Sequence, residues 1–472
     1  MKRIFKIITI LVLGLSLVSC DFSNPNYNEI DDNPPTETKD IPSIKEFTYI
    51  GTNDGKDEYL MHFSDGTSQI IYITSNNNND ISEITINDLY EAAVIEGYTG
   101  SMLDFIKDHV DISVDDSKEA IVKGLKSSVS VFSHFTKTEV SFPILGLPEQ
   151  KKVEYTSAGS GIIYKLNKDL GTAYIITNHH VVYDQDSDTN NKISENIQIY
   201  LYGLELPDYE IEATYIGGSE THDVAVLKVE NSEIIKNSIA EEVTSANSDL
   251  IEPGDTAIAI GNAEAKGISV TKGIVSVPSE YITMNTNNLG LVSFRVLRID
   301  TAVNSGNSGG GLFNSKGEVI GIVNAKMVAE NIDSIGYALH ANTVFNLADN
   351  IIYYADNEAQ ENGEKVLIGI TMRITDRVVS YDSNMDKIIL KDIIKVEDIV
   401  ENSPAEGKFM LDDQIVSVTI SEKTYSINRL YELSDLLFKV KRNETITFTV
   451  NREETLVDLE ITFVDKDFNL IV

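Results

Sequence analysis

Between about residue 119 and residue 350 the chain is broken into short apolar runs, SGIIYKL, AYIITN, NIQIYLYG, DVAVLKV, TAIAIGN, GIVSV and VIGIVNA, with glycine and asparagine between them. Runs of this length and spacing, with no long helical segments among them, point to an all-β barrel or sandwich. The flanks read differently. Residues 46–74, FTYIGTNDGKDEYLMHFSDGTSQIIYIT, are short strands punctuated by the hairpin signals NDGK and SDGT. After the polar break SNNNND, helical spacing in LYEAAV and MLDFIKDHV around a glycine-containing turn predicts a small helical hairpin. Beyond the β-rich block, ADNEAQENGEKV is polar and linker-like. KIILKDII, QIVSVTI, TITFTV and DLEITF then read as strands, and INRLYELSDLLFKV as one amphipathic helix with Leu430, Leu433, Leu436 and Leu437 on one face. A chain of 472 residues with 42% hydrophobic content has room for two or three domains with real cores.

The first residues bear on compartment. MKRIFKIITILVLGLSLVSC opens on Lys2, Arg3 and Lys6 and runs apolar from Ile7 to Val18, the build of a secretory signal. The run falls short of the roughly 20 apolar residues that a spanning helix needs. It ends in Leu17-Val18-Ser19-Cys20, which resembles a bacterial lipobox. That resemblance implies that residues 1–19 are removed and that a lipid is attached to the Cys20 sulfur, anchoring the protein to the extracytoplasmic face of the cell membrane. Cys20 is the single cysteine, so disulfides within the chain and cysteine-rich metal sites are excluded. Residues 20–44 are rich in Asn, Asp, Pro and Thr, cannot bury a core, and read as a tether. A formal net charge of −36 argues against charge-driven binding of nucleic acid or anionic lipid, because phosphates would be repelled.

The chemistry concentrates in three places. In DTAVNSGNSGGGLF, residues 300–313, Ser308 sits among glycines at 306, 309, 310 and 311, so the backbone can turn tightly and converge its N–H groups on a developing oxyanion. A glycine-rich turn between strands would explain the glycines by themselves; a nucleophilic serine also needs a base and a carboxylate to orient it. TNHHVV, residues 177–182, offers His179 and His180 at the end of an apolar strand, and THDVAVLKV offers Asp223 at the start of another. Adjacent strand residues point to opposite faces, so only one of the two histidines enters the cleft. His222, next to Asp223, reads as an exposed turn residue.

These motifs, in this order, resemble those of the trypsin-like (chymotrypsin-fold) serine proteases, and more closely their HtrA/Deg branch: TNHHVV resembles TN-x-HVV, HDVAVLKV a D-x-AVLK-type segment, and NSGNSGG resembles N-x-GNSGG. IEPGDTAIAIGNAEAKGISVTKGIVS (251–276) and IGYALHAN (335–342) are similar to the stretches that precede the nucleophile and flank the substrate in that branch. The resemblance implies two six-stranded β-barrels over residues 119–355 and no required cofactor. His180 would be general base, Asp223 its orienter and Ser308 the nucleophile, with the backbone N–H groups of Gly306 and Ser308 as oxyanion hole. It puts Ala302 at the base of the primary pocket, which offers no acidic group and implies a small or aliphatic residue before the scissile bond. Ser305 and Gly311 stand where that branch commonly has proline. Residues 365–466, with VLIGITM and IVENSPAEGKFMLDDQIVSVTI, resemble a PDZ-like α+β domain. Peptide C-termini would bind there by strand addition, their carboxylates held by backbone N–H groups of Leu367, Ile368, Gly369 and Ile370. Asp412 and Asn443 replace glycines usual in that fold, and both tolerate left-handed backbone.

The fold class expected is therefore mainly β: two barrels, a C-terminal PDZ-like domain and a small N-terminal module over 45–115. The activity implied is membrane-anchored cleavage of unfolded or misfolded protein through an acyl-enzyme. The rival is a non-catalytic surface binding protein that retains the fold. Relatives of this kind are commonly trimeric, which makes a homo-oligomer the partner implied beyond the substrates. One metal reading stands apart. Asp184, Asp186, Asp188, Asn190 and Glu195 occupy positions 1, 3, 5, 7 and 12 of a calcium-loop pattern, although position 6 is Thr189 rather than glycine. The alternative there is an acidic surface loop.

Overall fold

A computed structural model describes residues 44–53, 56–63, 68–74, 94, 99, 117–141, 149–189, 191–286, 290–325, 335–358, 360, 362–382 and 387–471. The chain divides into two compact units, Met1–Asp115 and Asp116–Val472. In the first, β1 (Ile44–Asn53), β2 (Lys56–Phe63) and β3 (Ser68–Thr74) form an antiparallel sheet in that order, with Asn53 opposite Lys56 and His62 opposite Ser68. The two Asp-Gly signals thus fall where strands reverse. Cys20, the tether and nearly all of the expected helical hairpin lie outside the described residues.

The second unit opens with helix α1 (Ser117–Ser127), whose Ala120 and Gly124 form the buried face. A side chain at Gly124 would lie 2.4 Å from Ile260 Cδ1, so glycine is what lets the helix settle on the barrel behind it. Two closed six-stranded barrels follow. The first runs β4 (Ser128–Ser141), β5 (Glu149–Asn167), β6 (Thr172–Thr177), β7 (Asn196–Leu201), β8 (Ile211–Ser219) and β9 (Val224–Val229), closed in the order β4-β5-β6-β9-β8-β7. The second contains β10 (Thr256–Gly261), β11 (Ser269–Thr286), β12 (Gly290–Ile299), β13 (Gly311–Phe313), β14 (Val319–Val323) and β15 (Gly336–His340), closed as β10-β11-β12-β15-β14-β13. The order repeats, so the second barrel has the topology of the first. Period-two burial in TAYIIT and NIQIYL lines the first interior, whereas β10 and β14 of the second are buried almost throughout; Ile, Val and Ala dominate both.

One hydrophobic cluster fills the seam. Ile162 and Ile176 of the first barrel meet Ile258, Ile260 and Phe313 of the second, and Val344, Phe345 and Ile351 of a long helix pack on both. At about 1.5–3 kcal/mol for each large side chain buried, this seam is a principal source of the unit's cohesion. A helix, α3 (Ala341–Glu358; the single turn His179–Val182 is α2), runs into the first four residues of the stretch expected to be a linker. The polar residues that suggested a linker are engaged: Arg442 pairs with Glu358 at 3.0 Å and donates to Glu364 at 2.8 Å, and Asn350 caps the Glu364 backbone.

The C-terminal part holds a sheet ordered β17-β18-β19-β21-β22, comprising β17 (Ile370–Asp382), β18 (Lys387–Ile399), β19 (Gln414–Ile420), β21 (Thr445–Arg452) and β22 (Thr455–Thr462), with β20 (Lys423–Ser426) paired to β19. β16 (Glu364–Val366) and β23 (Phe468–Leu470) form a separate pair. Helix α4 (Leu430–Leu436) continues as one 3-10 turn to Lys439 and buries Leu433, Leu436 and Leu437, three of the four leucines expected on that face. Asp412 and Asn443 have φ of 66° and 62°, the left-handed backbone their side chains tolerate.

α4 is locked to the second barrel through Arg295 on β12. Its buried guanidinium contacts Asp435 of α4 at 2.8 Å and Asp249 at 2.5 Å, and lies 3.3 Å from the Tyr431 ring centroid. Burial raises the Asp435 pKa even against the pull of Arg295. Arg295→Met should therefore destabilise the unit by about 3–5 kcal/mol, because it strands the buried Asp435 carboxylate and the half-buried Asp249. Urea unfolding checks this, and adding Asp435→Asn should recover part of the loss; full additivity of the two changes would refute the coupling.

Candidate active site

The site is assembled at the seam. The nucleophile loop is stapled to the first barrel by β5: the Ser160 N–H donates to Ser308 O at 2.8 Å and the Ser160 hydroxyl to Gly306 O at 2.7 Å, while the Asn262 N–H donates to Ser160 Oγ at 2.7 Å. Gly309, at φ 86°, lies so close to β5 that a Cβ would be 2.2 Å from Ser160 O. This is where the glycine run is required. The Asn307, Gly309 and Gly310 N–H groups donate to Asn304, Val323 and Asn307 carbonyls. Among the described residues, those of Gly306 and Ser308 have no such acceptor.

His179 and His180 do not continue the strand; they open the single helical turn α2 (His179–Val182). The strand-alternation argument for separating them is therefore incorrect, although the separation holds, because successive residues on a helix diverge by about 100°. His179 turns inward and stacks on Tyr183 with ring centroids 5.0 Å apart. His180 turns to Asp223: its Nδ1 lies 2.7 Å from Oδ2, and its backbone N–H donates to Oδ1 at 2.9 Å. Asp223 sits at φ 52°, a conformation uncommon outside glycine, and its carbonyl accepts from Asn178 Nδ2 at 2.8 Å. Burial acts to raise the Asp223 pKa but is outweighed by the His180 charge and its two hydrogen bonds, with a lesser contribution from His179, which hold the carboxyl well below the usual range.

Ser308 is buried at the opposite side of the seam, and its Oγ accepts from the Ala325 N–H at 3.1 Å. No hydrogen bond joins it to His180 among the described residues; such contacts often tighten only when substrate is bound. A residue that the motif reading missed, Asn324, reaches from the end of β14 and donates Nδ2 to Asp223 Oδ2 at 2.6 Å. Its neighbours in VIGIVNA are apolar strand residues, so a buried amide in that run was the available signal.

His222 lies in the turn before β9, as expected, but is half-buried rather than exposed. Its ring meets Phe438 edge-on, at 5.2 Å. Burial, with a smaller contribution from the Lys365 charge, lowers its pKa from 6.5 to about 3. The folded state thus disfavours the protonated ring, and its contribution is full above pH 6.5 and lost as pH falls from there toward 3. His222→Gln should flatten the fall in urea midpoint over that interval; an unchanged slope would contradict this.

The remaining expected residues are placed less compactly. Ala302 is exposed, with its carbonyl accepting from the Thr271 hydroxyl at 2.8 Å. In the candidate peptide loop the Leu367 N–H is engaged by Asp467 O at 2.8 Å, and Ile368 is buried. Gly369, at φ 85°, backs onto Ser403, where a Cβ would fall 2.1 Å from Ser403 Cβ. Ile370 starts β17, which is an edge strand in the sheet order. The acidic stretch after the histidines forms no cage among the described residues, and no group of three or more His, Cys, Asp or Glu converges there. Asp188 turns away to accept from the Thr138 N–H and hydroxyl at 3.1 and 2.8 Å, and Asp184 accepts from the Asp186 N–H at 2.8 Å. Glu195 is exposed, and Asn190 lies outside the described residues.

Residues 159–322 match the family model for a trypsin-like peptidase domain. The chain is similar to the serine protease Do-like HtrA of Bacillus subtilis (strain 168), 29% identical over 309 residues that cover 63% of this chain and 61% of that one. It is similar to the serine protease Do-like HtrB of the same organism, 31% identical over 304 residues, 62% of this chain and 59% of that one. It also matches the periplasmic pH-dependent serine endoprotease DegQ of Escherichia coli (strain K12), 33% identical over 213 residues, 44% of this chain and 40% of that one. The chain thus spans about three-fifths or less of the length of these curated relatives.

Proposed function

We propose that this chain, whose residues 159–322 match a trypsin-like peptidase domain and which is similar to Do-like HtrA serine proteases, is a serine endopeptidase of the HtrA/Deg kind that cleaves unfolded or exposed protein segments. The observation that carries this reading is the His180–Asp223 pair, set across the barrel seam from Ser308. His180 takes the Ser308 proton as Oγ attacks the scissile carbonyl, forming a tetrahedral intermediate. Asp223 holds the Nδ1–H tautomer and stabilises the imidazolium, and the Gly306 and Ser308 N–H groups receive the oxyanion. Collapse expels the amine, which leaves with the proton from His180. Water, activated by the same histidine, then hydrolyses the acyl-enzyme.

Three further parts belong to the same reading. Substrate C-termini add as a strand to the free edge of β17, near Leu367–Ile370, in a PDZ-like domain. Ala302 favours a small residue before the scissile bond. Cys20 carries lipid that holds the enzyme at the extracytoplasmic face of the membrane, where the named periplasmic relative also works. Incubation of the full chain with unfolded casein tests the activity. Peptide release by the wild type and none by Ser308→Ala is expected, whereas no release by either would leave a binding protein that retains the fold.

A further inference from the structure

Ser160 is wholly buried on β5, and every polar group it owns is engaged. Its N–H donates to Ser308 O at 2.8 Å, and its carbonyl accepts from the Thr177 hydroxyl at 2.7 Å, at the end of the strand that leads to His180. Its own hydroxyl accepts from the Asn262 N–H and donates to Gly306 O, each at 2.7 Å. That direction is forced, because an N–H can only donate and a carbonyl can only accept. The chain around it is cleared of side chains. A Cβ would fall 2.7 Å from Ser160 Oγ at Gly261, 2.2 Å from Ser160 O at Gly309 and 3.2 Å from Ser160 Cβ at Gly310. Three glycines thus make room for one serine.

The order of peptides in the nucleophile loop shows what this hydroxyl holds. One oxyanion donor, the Gly306 N–H, lies on the Ser305–Gly306 peptide, and the other, the Ser308 N–H, on the Asn307–Ser308 peptide. Between them is the Gly306–Asn307 peptide. Its oxygen is the one that Ser160 holds, and its N–H donates to Asn304 O at 3.0 Å. Ser305 O in turn accepts from the Glu264 N–H at 2.7 Å. Gly306 has a φ of 93° and no Cβ, so without such anchors the peptide planes on either side of it could rotate. Of these anchors, the Ser160 hydroxyl is the one supplied by a side chain and the one that comes from the first barrel. We infer that Ser160 is a positioning residue for the oxyanion hole. Its hydroxyl, presented by the barrel that carries His180 and Asp223, fixes the central peptide so that the two N–H donors of the other barrel converge. The inference rests on the serine-endopeptidase reading for its kinetic consequence but not for its geometry.

Two variants of the full chain test it, read by turnover and by a peptide boronate, which forms a tetrahedral adduct on a nucleophilic serine and so engages the same donors as the transition state. In Ser160→Ala, which removes the hydroxyl, kcat should fall about 10- to 100-fold with KM little changed, and the boronate should bind more weakly by a similar factor. A serine that served stability alone would lower the urea midpoint and leave both quantities unchanged in the folded molecules. Ser160→Cys keeps a weaker donor in nearly the same place, so its loss should be smaller and in the same direction. Where Ser160→Ala does not fold, Ser160→Cys carries the comparison. Another readout needs no turnover. Amide hydrogen exchange over residues 303–312 should be slow in the wild type and faster in the variants. Folded variants with wild-type kcat and boronate affinity would overturn the inference, as would a loss confined to KM. If the wild type neither cleaves casein nor binds the boronate, the endopeptidase reading fails. Hydrogen exchange then decides whether Ser160 orders the loop, and equal exchange in wild type and variants would overturn that too.

Discussion

Replacing Ser308 by alanine should lower turnover of an unfolded protein substrate by on the order of 10⁴-fold or more, with the fold intact. The two halves of that expectation have separate grounds. The chemical half follows from the attack itself: without the Ser308 hydroxyl the acyl-enzyme proposed here cannot form. The structural half follows from what holds the loop. Ser308 is tied to β5 through its carbonyl, which accepts from the Ser160 N–H, and Gly306 O accepts from the Ser160 hydroxyl. None of these bonds uses Ser308 Oγ. The variant loses only the contact with the Ala325 N–H. Its urea midpoint should therefore stay near that of the wild type while peptide release stops.

The adjacent histidines should separate just as sharply. His180→Ala removes the base and should abolish activity, by a factor comparable to that of Ser308→Ala. It also leaves Asp223 buried without the imidazole charge and its hydrogen bond, keeping only those from the residue-180 backbone N–H and Asn324 Nδ2, so the variant should lose stability near neutral pH and regain part of it in acid, where Asp223 can be protonated. His179→Ala removes a buried ring stacked on Tyr183. It should cost stability by opening a cavity, and it should leave most of the activity of the molecules that remain folded. Activity in His180→Ala with none in His179→Ala would transfer the base to His179.

Much of this site was legible because its parts are local. TNHHVV, HDVAVLKV and NSGNSGG each carry a reactive side chain and the backbone that presents it within a few residues. The barrels were legible for a related reason, since short apolar runs broken by glycine leave few other architectures. What escaped depends on contacts between distant segments. A strand and a single helical turn are not distinguished by two histidines, so the pair was assigned the wrong local geometry even though one of the two does face Asp223. His222 looked exposed in its turn because Phe438, which packs against it, lies far along the chain. ADNEAQENGEKV read as a linker because Glu358 and Glu364 are paired with Arg442, about eighty residues on. Asn324 hid inside an apolar run for the same reason, with Asp223 a hundred residues before it. At the calcium-loop spacing the intervals are those of the pattern, while Asp188 accepts from Thr138 on β4, a partner that spacing alone does not reveal.

The most direct measurement is covalent labelling of the folded full chain with a fluorophosphonate, followed by peptide mapping. A serine made nucleophilic by His180 should yield one adduct, on Ser308, and the adduct should vanish in His180→Ala and persist in His179→Ala. A folded wild-type protein that takes no label at Ser308, or takes it equally well without His180, would contradict the account.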